Sequence, residues 1–161
     1  TRATDPNDAT RTVLTGAQRS KGLEIGLSGA ITPQWQVSAG YALQDAEIRK
    51  TTSAAPAGRE VPLVPKQQVS LWTRYDFTPR FGAGVGVYHQ SKSFTSISNT
   101  AVLPAFTRVD AAAFFKLTPQ IEAQINVENL LDSNYFSSAY NDNNIMPGAP
   151  TTARATVRMS F

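Results

Sequence analysis

Strict alternation of apolar and polar side chains runs through most of this chain and limits the folds open to it. In the segment 35–44, for example, Trp35, Val37 and Ala39 alternate with glutamine, serine and glycine. Successive side chains of a β-strand point to opposite faces, whereas a helix repeats every 3.6 residues. Seven strands of roughly nine residues or more are predicted, at 22–28, 35–44, 69–77, 81–88, 108–117, 121–128 and 153–161. The pattern therefore predicts an all-β protein.

The connections between these segments alternate in length. Three short turns repeat a Thr-Pro pair, which starts at Thr32, Thr78 and Thr118, and proline presets the backbone for a tight turn. Long polar connections fall between them at 49–66, 92–104 and 132–150. Short turns at one end and long loops at the other are typical of an antiparallel, up-and-down transmembrane β-barrel. Residues 4–10 are predicted to be loop, and residues 11–15 to be the outer end of the first strand.

The two faces of the predicted strands differ in charge. Thr73 is the only polar residue on the apolar face, and a charge there would cost about 2–4 kcal/mol near the middle of a bilayer. The opposite face carries the charged residues Glu24, Arg74, Asp76, Arg108, Asp110, Lys116, Glu122, Glu128, Arg154 and Arg158. Aromatic rings of the apolar face gather beside the short turns, as expected at a membrane interface: Trp35, Phe77, Phe81, Phe115 and Phe161. We expect the apolar face to contact hydrocarbon and the charged face to line a water-filled interior.

Two other architectures fit part of this pattern. A soluble β-sandwich used as a binding module also buries one face of each strand, but it gives no reason to gather aromatic residues at one end. A small structural or adhesive outer-membrane barrel of about eight strands would need one more strand from residues 1–16. The proline and aspartates there argue against such a strand.

The composition argues against several classes of function. The 161 residues contain no cysteine, so disulfides and thiolate metal sites are excluded. The formal net charge is +3 without a basic run, and a nucleic-acid partner is not expected. His89 and Asp142 lack the neighbours or spacing of a metal site, so neither a metal nor a resident cofactor is expected. Catalytic motifs are absent, and we do not expect an enzyme.

Several segments resemble motifs of the TonB-dependent receptors that import ferric siderophores. TGAQRSKGLE at 15–24 resembles the family's G-x-x-R-S-K-G-x-E segment, and SLWTRY at 70–75, which follows VPK at 64–66, resembles its LWT-x-Y strand. FTRVD at 106–110 and NVENLLDSNYF at 126–136 are similar to Y-T-R-V-D and N-V-x-N-L-F-D-K-x-Y-Y. The order and spacing hold from about residue 13 to the end. One departure is Thr151, which stands where the family usually has arginine after P-G-x-P.

The resemblance implies that residues 1–161 are the C-terminal part of a barrel of about 22 strands, with the plug domain and the earlier strands outside this chain. It implies a ferric siderophore as ligand, with iron carried only in that complex, and TonB as a partner through the plug. It also implies a Gram-negative outer membrane with its lipid and lipopolysaccharide, and recognition of Phe161 by the barrel-assembly machinery. The segment 140–148 looks closest to the catecholate-type receptors.

Candidate ligand-binding residues lie on the charged face near the long loops, or in the loops themselves. A siderophore complex is bulky and often anionic, so aromatic rings and cationic side chains would stack on it and attract it. The leading candidates are Trp72, Tyr88, Arg154 and Tyr140.

Overall fold

The computed structural model describes residues 2–5, 8–14, 16–52 and 55–161, with side chains described from Gly16 onwards. Among these described residues, the structure contains no helix that is long and apolar enough to cross a membrane. The strands are β1 (Arg2–Asp5), β2 (Asp8–Leu14), β3 (Gln18–Thr32), β4 (Trp35–Ile48), β5 (Gln67–Thr78), β6 (Phe81–Gln90), β7 (Ser93–Phe94), β8 (Val102–Leu103), β9 (Phe106–Lys116), β10 (Ile121–Glu128), β11 (Phe136–Asn141), β12 (Asn144–Pro147) and β13 (Thr152–Met159).

Seven long strands form one antiparallel sheet in the order β13-β10-β9-β6-β5-β4-β3. The prediction of seven antiparallel strands is confirmed. The bounds of β10 match the predicted segment 121–128, whereas β3 has 15 residues and extends well beyond the predicted 22–28. The last strand ends at Met159 rather than at Phe161, although Ser160 N still donates to Gln120 O at 3.0 Å.

The three Thr-Pro turns share one hydrogen-bonding pattern. In each turn the threonine hydroxyl accepts bonds from the backbone N–H groups two and three residues later. Thr78 Oγ1, for example, accepts from Arg80 N at 3.2 Å and Phe81 N at 3.0 Å, and Thr32 and Thr118 do the same. The hydroxyl thus pairs N–H groups that a tight turn leaves without a strand partner.

The long connections lie at the opposite end of the sheet and are partly structured. We name them loop A (49–66), loop B (91–105) and loop C (129–151). Loop B contains the β7–β8 pair and loop C the β11–β12 pair, each a separate two-stranded sheet. The predicted alternation of short turns and long loops is therefore confirmed.

The apolar face of the sheet is open in this chain. Leu27, Val85 and Val157 have exposed fractions of 56%, 46% and 64%, so no second layer of described residues covers them as a sandwich would. On the polar face, one depression of about 620 Å³ is lined by residues of β3, β4, β5, β9 and β10. The sheet therefore curves around its polar face, as the wall of a barrel does.

The N-terminal segment differs from the sequence prediction. β1 and β2 pair with each other, with Arg2 opposite Leu14 and Thr4 opposite Thr12. The loop predicted at 4–10 is therefore wrong for residues 4, 5 and 8–10, while positions 6 and 7 lie outside the described residues. Residues 11–14 are not the outer end of β3 either, and position 15 is not described. Gly16, with φ of 73°, precedes β3, where a Cβ would lie 2.9 Å from Lys50 O.

Candidate functional site at the outer end of the polar face

Three aromatic rings stack on one another where the polar face meets the long loops. Tyr88 lies on β6, Phe106 begins β9, and Tyr135 comes from loop C. The ring centroids of Tyr88 and Phe106 are 5.8 Å apart, and those of Phe106 and Tyr135 are 4.5 Å apart. These distances are typical of stabilising aromatic pairs. We call this group the aromatic stack, and it joins two strands of the sheet to one outer loop.

Loop C holds Tyr135 against the sheet. Gly148 lies so close that a Cβ there would collide with the Tyr135 ring, and Gly148 N donates to Tyr135 O at 2.7 Å. Arg108 Nη1 approaches the Tyr135 hydroxyl at 3.5 Å, while Arg108 Nη2 forms an ion pair with Asp110 at 2.9 Å. A guanidinium group thus lies beside the outermost ring of the stack.

Tyr88, one of the predicted binding residues, is fixed by two glutamines. Gln68 Nε2 donates to the Tyr88 hydroxyl, which donates in turn to Gln90 Oε1, both at 3.0 Å. This chain of bonds occupies the tyrosine's single proton. The ring of Tyr88 is therefore fixed, and its face is the part of the side chain that can receive a ligand.

Trp72, a second predicted residue, lies flat across the neighbouring strand. A Cβ at Gly84 would be 2.7 Å from Trp72 Cζ2, and one at Gly86 would be 2.6 Å from Cε3. Only glycine leaves room for the indole at these two positions. Beyond the glycines, the Arg74 guanidinium lies 4.0 Å from the centroid of the Phe114 ring, a cation–π contact.

The other two predicted residues lie apart from the aromatic stack. Arg154 is an exposed residue of β13, opposite Asn126, and β10 and β9 separate its strand from that of Tyr88. Tyr140 lies on β11 in loop C and is 87% exposed. The structure thus places Trp72 and Tyr88 on neighbouring strands of one face, and it does not bring Arg154 or Tyr140 to them.

Asn129 anchors loop C to the sheet. Its side chain is 1% exposed, and Nδ2 donates to Ser133 O and Ala149 O, both at 3.0 Å, while Oδ1 accepts from Ser133 N at 2.9 Å. Its backbone N–H donates to Asp110 Oδ1 at 2.8 Å. A φ of 53° is more tolerable for asparagine than for most residues. Through its side chain and its backbone N–H, one residue thus joins both ends of loop C to β9.

Loop A is held in place by charged and amide side chains. Lys66 Nζ pairs with Glu60 Oε1 at 2.6 Å, and this contact raises the pKa of Lys66. Asn99 of loop B accepts a bond from Glu60 N at 2.8 Å and donates to Glu60 O at 3.0 Å. Loop A and loop B therefore meet at a reciprocal pair of hydrogen bonds.

Phe106, Gln68 and Asn129 were not among the residues singled out from the sequence as ligand contacts. Phe106 and Asn129 both fall within segments that resemble family motifs, at 106–110 and 126–136, and this was the available signal. The pairing of Gln68 with Tyr88 depends on strand register, which the sequence pattern leaves undefined.

Residues 1–130 match the model of the family described as TonB dependent receptor-like, beta-barrel. The chain belongs to this family. Its sheet is accordingly part of the wall of a β-barrel in a Gram-negative outer membrane.

Two named relatives of this TonB-dependent receptor family member are siderophore receptors. The probable TonB-dependent siderophore receptor PiuA of Acinetobacter baumannii is 34% identical over 143 residues, which cover 83% of this chain and 19% of PiuA. The catecholate siderophore receptor Fiu of Escherichia coli K12 is 32% identical over 152 residues, covering 91% of this chain and 20% of Fiu. The crystal structure of the A. baumannii PiuA receptor superposes with a TM-score of 0.85 at 30% identity, over 98% of this chain and 24% of that one. The chain thus spans about a fifth of the length of these curated relatives.

Proposed function

We propose that this protein is a TonB-dependent receptor that captures and imports ferric siderophores. The observation that carries the proposal is the aromatic stack of Tyr88, Phe106 and Tyr135, with the Arg108 guanidinium beside it, at the outer end of the polar face. Flat aromatic ligands stack on such rings, and a cationic group favours an anionic complex. The relatives PiuA and Fiu, which are named siderophore receptors, support the same ligand class.

Residues 1–161 form, in this proposal, the C-terminal part of a larger barrel. Within the described residues, β3 and β13 each leave one edge of the sheet unpaired. Unpaired backbone groups are very costly in a bilayer, so further strands of the same protein would pair with both edges. The relatives' greater length supplies a precedent for such strands.

The partners follow from this arrangement. TonB acts through a plug domain inside the completed barrel, outer-membrane lipid and lipopolysaccharide surround the apolar face, and the barrel-assembly machinery recognises Phe161. The polar face binds and passes a ligand rather than catalysing a reaction, and iron is cargo within the siderophore complex rather than a resident cofactor.

Ligand contacts are assigned to the aromatic stack together with Trp72, Arg154 and Tyr140. Trp72 and Tyr88 contribute aromatic surface on the wall, Arg154 a cation on β13, and Tyr140 an exposed ring at the tip of loop C. A ligand could meet Tyr140 first and the wall residues afterwards, because Tyr140 projects from the outer loop.

The test is uptake of radioactive iron by cells that lack their other siderophore receptors and express the full-length protein. Phe106→Ala and Trp72→Ala should each lower siderophore affinity at least about tenfold, while Tyr88→Phe, which keeps the ring, should bind almost normally. Deleting TonB should abolish uptake and leave binding intact. The control is that the wild-type barrel migrates as a folded protein in electrophoresis. If that folded receptor binds no ferric complex of a catecholate, a hydroxamate or citrate, the proposal is overturned.

A further inference from the structure

Loop B and loop C are joined through one carboxylate. Ser98 Oγ donates to Asp142 Oδ2 at 2.8 Å and Thr100 Oγ1 donates to the same oxygen at 2.9 Å, while Thr95 Oγ1 donates to Asp142 Oδ1. Three hydroxyls of loop B thus converge on one carboxylate, while Thr95 Oγ1 also lies 3.2 Å from Ala101 O and Ser98 Oγ lies 2.6 Å from Thr100 Oγ1. We call this group the Asp142 clasp. Its hydroxyls lie on loop B, and its carboxylate follows β11 in loop C.

The clasp is the hydrogen-bonded link between these two loops. Within the described residues, every hydrogen bond between loop B and loop C ends on Asp142. Bonds to a charged acceptor are stronger than bonds between neutral groups, and hydroxyl bonds to the carboxylate lower the pKa of Asp142, so that it remains ionised.

Loop B is attached to loop A in a different way. Leu63 N donates to Phe94 O at 2.8 Å, Arg59 Nη1 donates to Ile97 O at 3.0 Å, and Asn99 forms its reciprocal pair with Glu60. These bonds are spread along both loops and include one bond between backbone groups. Losing one side chain would therefore leave loops A and B together, whereas losing Asp142 would release loop C from loop B.

Loop C is also the loop that carries Tyr135 of the aromatic stack. Its two ends are fixed to the sheet by Asn129, while its β11–β12 hairpin extends from that anchor. A segment anchored at its base and clasped near its tip can swing when the clasp opens. We infer that Asp142 is a releasable latch that holds the β11–β12 hairpin of loop C against loop B at the outer mouth of the barrel.

The latch can be tested in the full-length receptor, reconstituted in lipid, without any siderophore. Spin labels on Val102→Cys and Asn144→Cys report the distance between loops B and C. The wild-type receptor should give one narrow distance distribution, and Asp142→Ala should give a broad one with longer distances. Asn143→Ala, which changes the neighbouring exposed side chain and keeps the carboxylate, is the matched control and should remain narrow.

A second variant removes the hydroxyl groups of loop B that bond to Asp142. The triple change Thr95→Val, Ser98→Ala and Thr100→Ala keeps Asp142 and should broaden the distribution as Asp142→Ala does, and combining the two should add nothing further. Amide exchange in residues 137–146 should become about tenfold faster in both variants, while exchange in the sheet strands β9 and β10 stays unchanged. A narrow distribution in Asp142→Ala, additive effects of the two changes, or a broad wild-type distribution would overturn the inference. Loss of siderophore binding would not, since the latch does not depend on the ligand.

Discussion

Trp35 Nε1 donates a hydrogen bond to Thr73 Oγ1 at 2.7 Å, across neighbouring strands of the apolar face. Thr73 is the one polar residue that interrupts this face in the sequence, and its hydroxyl also approaches Gln36 O at 3.4 Å. Donor and acceptor satisfy each other, so neither is presented unpaired to lipid. The hydrogen bond from Trp35 thus explains how a polar residue, Thr73, is accommodated on the apolar face.

The first prediction concerns this pair. Trp35→Phe should lower the free energy of unfolding in lipid, because phenylalanine has a smaller apolar surface. It should lower it by about 1 kcal/mol more than that smaller surface explains, because the Thr73 hydroxyl loses its hydrogen-bond donor. Thr73→Val leaves the indole N–H unpaired and should cost a similar amount. The double variant should cost less than the sum, which urea titration of the reconstituted barrel would measure. Strict additivity would show that the bond contributes nothing.

The second prediction concerns the glycines beneath Trp72. Gly86→Ala should displace the indole, since the new methyl group would lie 2.6 Å from Cε3, and should destabilise the barrel by about 1–3 kcal/mol. Gly26→Ala is the matched control on the same face, because no atom lies within 4 Å of its Cβ position. Unfolding titrations and tryptophan fluorescence should distinguish the two variants. Equal, near-zero effects would argue that Trp72 does not lie across β6.

The third prediction separates backbone strain from hydrogen bonding at Asn129. Asn129→Ala should cost about 2–4 kcal/mol, because three side-chain hydrogen bonds are lost and the left-handed backbone becomes less favourable. Asn129→Gly loses the same bonds but accepts a φ of 53°, so it should be the less destabilising change. Amide exchange at Ser133 and Thr151 should rise in both. If glycine were worse than alanine, the assignment of strain would be wrong.

Much of the sheet could be predicted from the sequence, because strand period and turn chemistry are local. The Thr-Pro turns predicted the short connections correctly, and the alternation predicted the antiparallel strand order and which residues share a face. The extension of β3 and β4 beyond the apolar alternation was missed. There Arg19 pairs with Glu47 at 2.9 Å and Lys21 with Asp45 at 3.5 Å, so paired charges occupy positions where apolar residues would have signalled a strand.

The candidate site was less accessible to sequence reasoning. Tyr88 and Trp72 could be placed on the polar face by parity, but their neighbours depend on register and on how the loops fold back. The Phe106–Tyr135 contact, for example, joins residues separated in the chain by most of β9 and by all of β10. The β1–β2 hairpin was missed because proline and aspartate were taken to indicate a loop.

The fourth prediction compares the two faces directly. Val85→Arg should destabilise the barrel by about 2–4 kcal/mol, because the guanidinium would face hydrocarbon. Thr156→Arg places the same side chain on the polar face and should change the free energy of unfolding by less than about 1 kcal/mol. Both values come from urea titration in lipid. Similar costs for the two variants would contradict the assignment of the faces.

The fifth and most direct measurement tests which face of the sheet contacts lipid. The 161 residues contain no cysteine, so in this part of the full-length receptor single spin labels can be introduced at each position of β10, from Ile121 to Glu128, once any cysteine elsewhere in the receptor has been replaced by serine. Accessibility to oxygen, which partitions into lipid, should peak at Ile121, Ala123, Ile125 and Val127. Accessibility to a water-soluble nickel reagent should be relatively greater at Glu122, Gln124, Asn126 and Glu128. Loss of this two-residue alternation, or its inversion, would contradict the account.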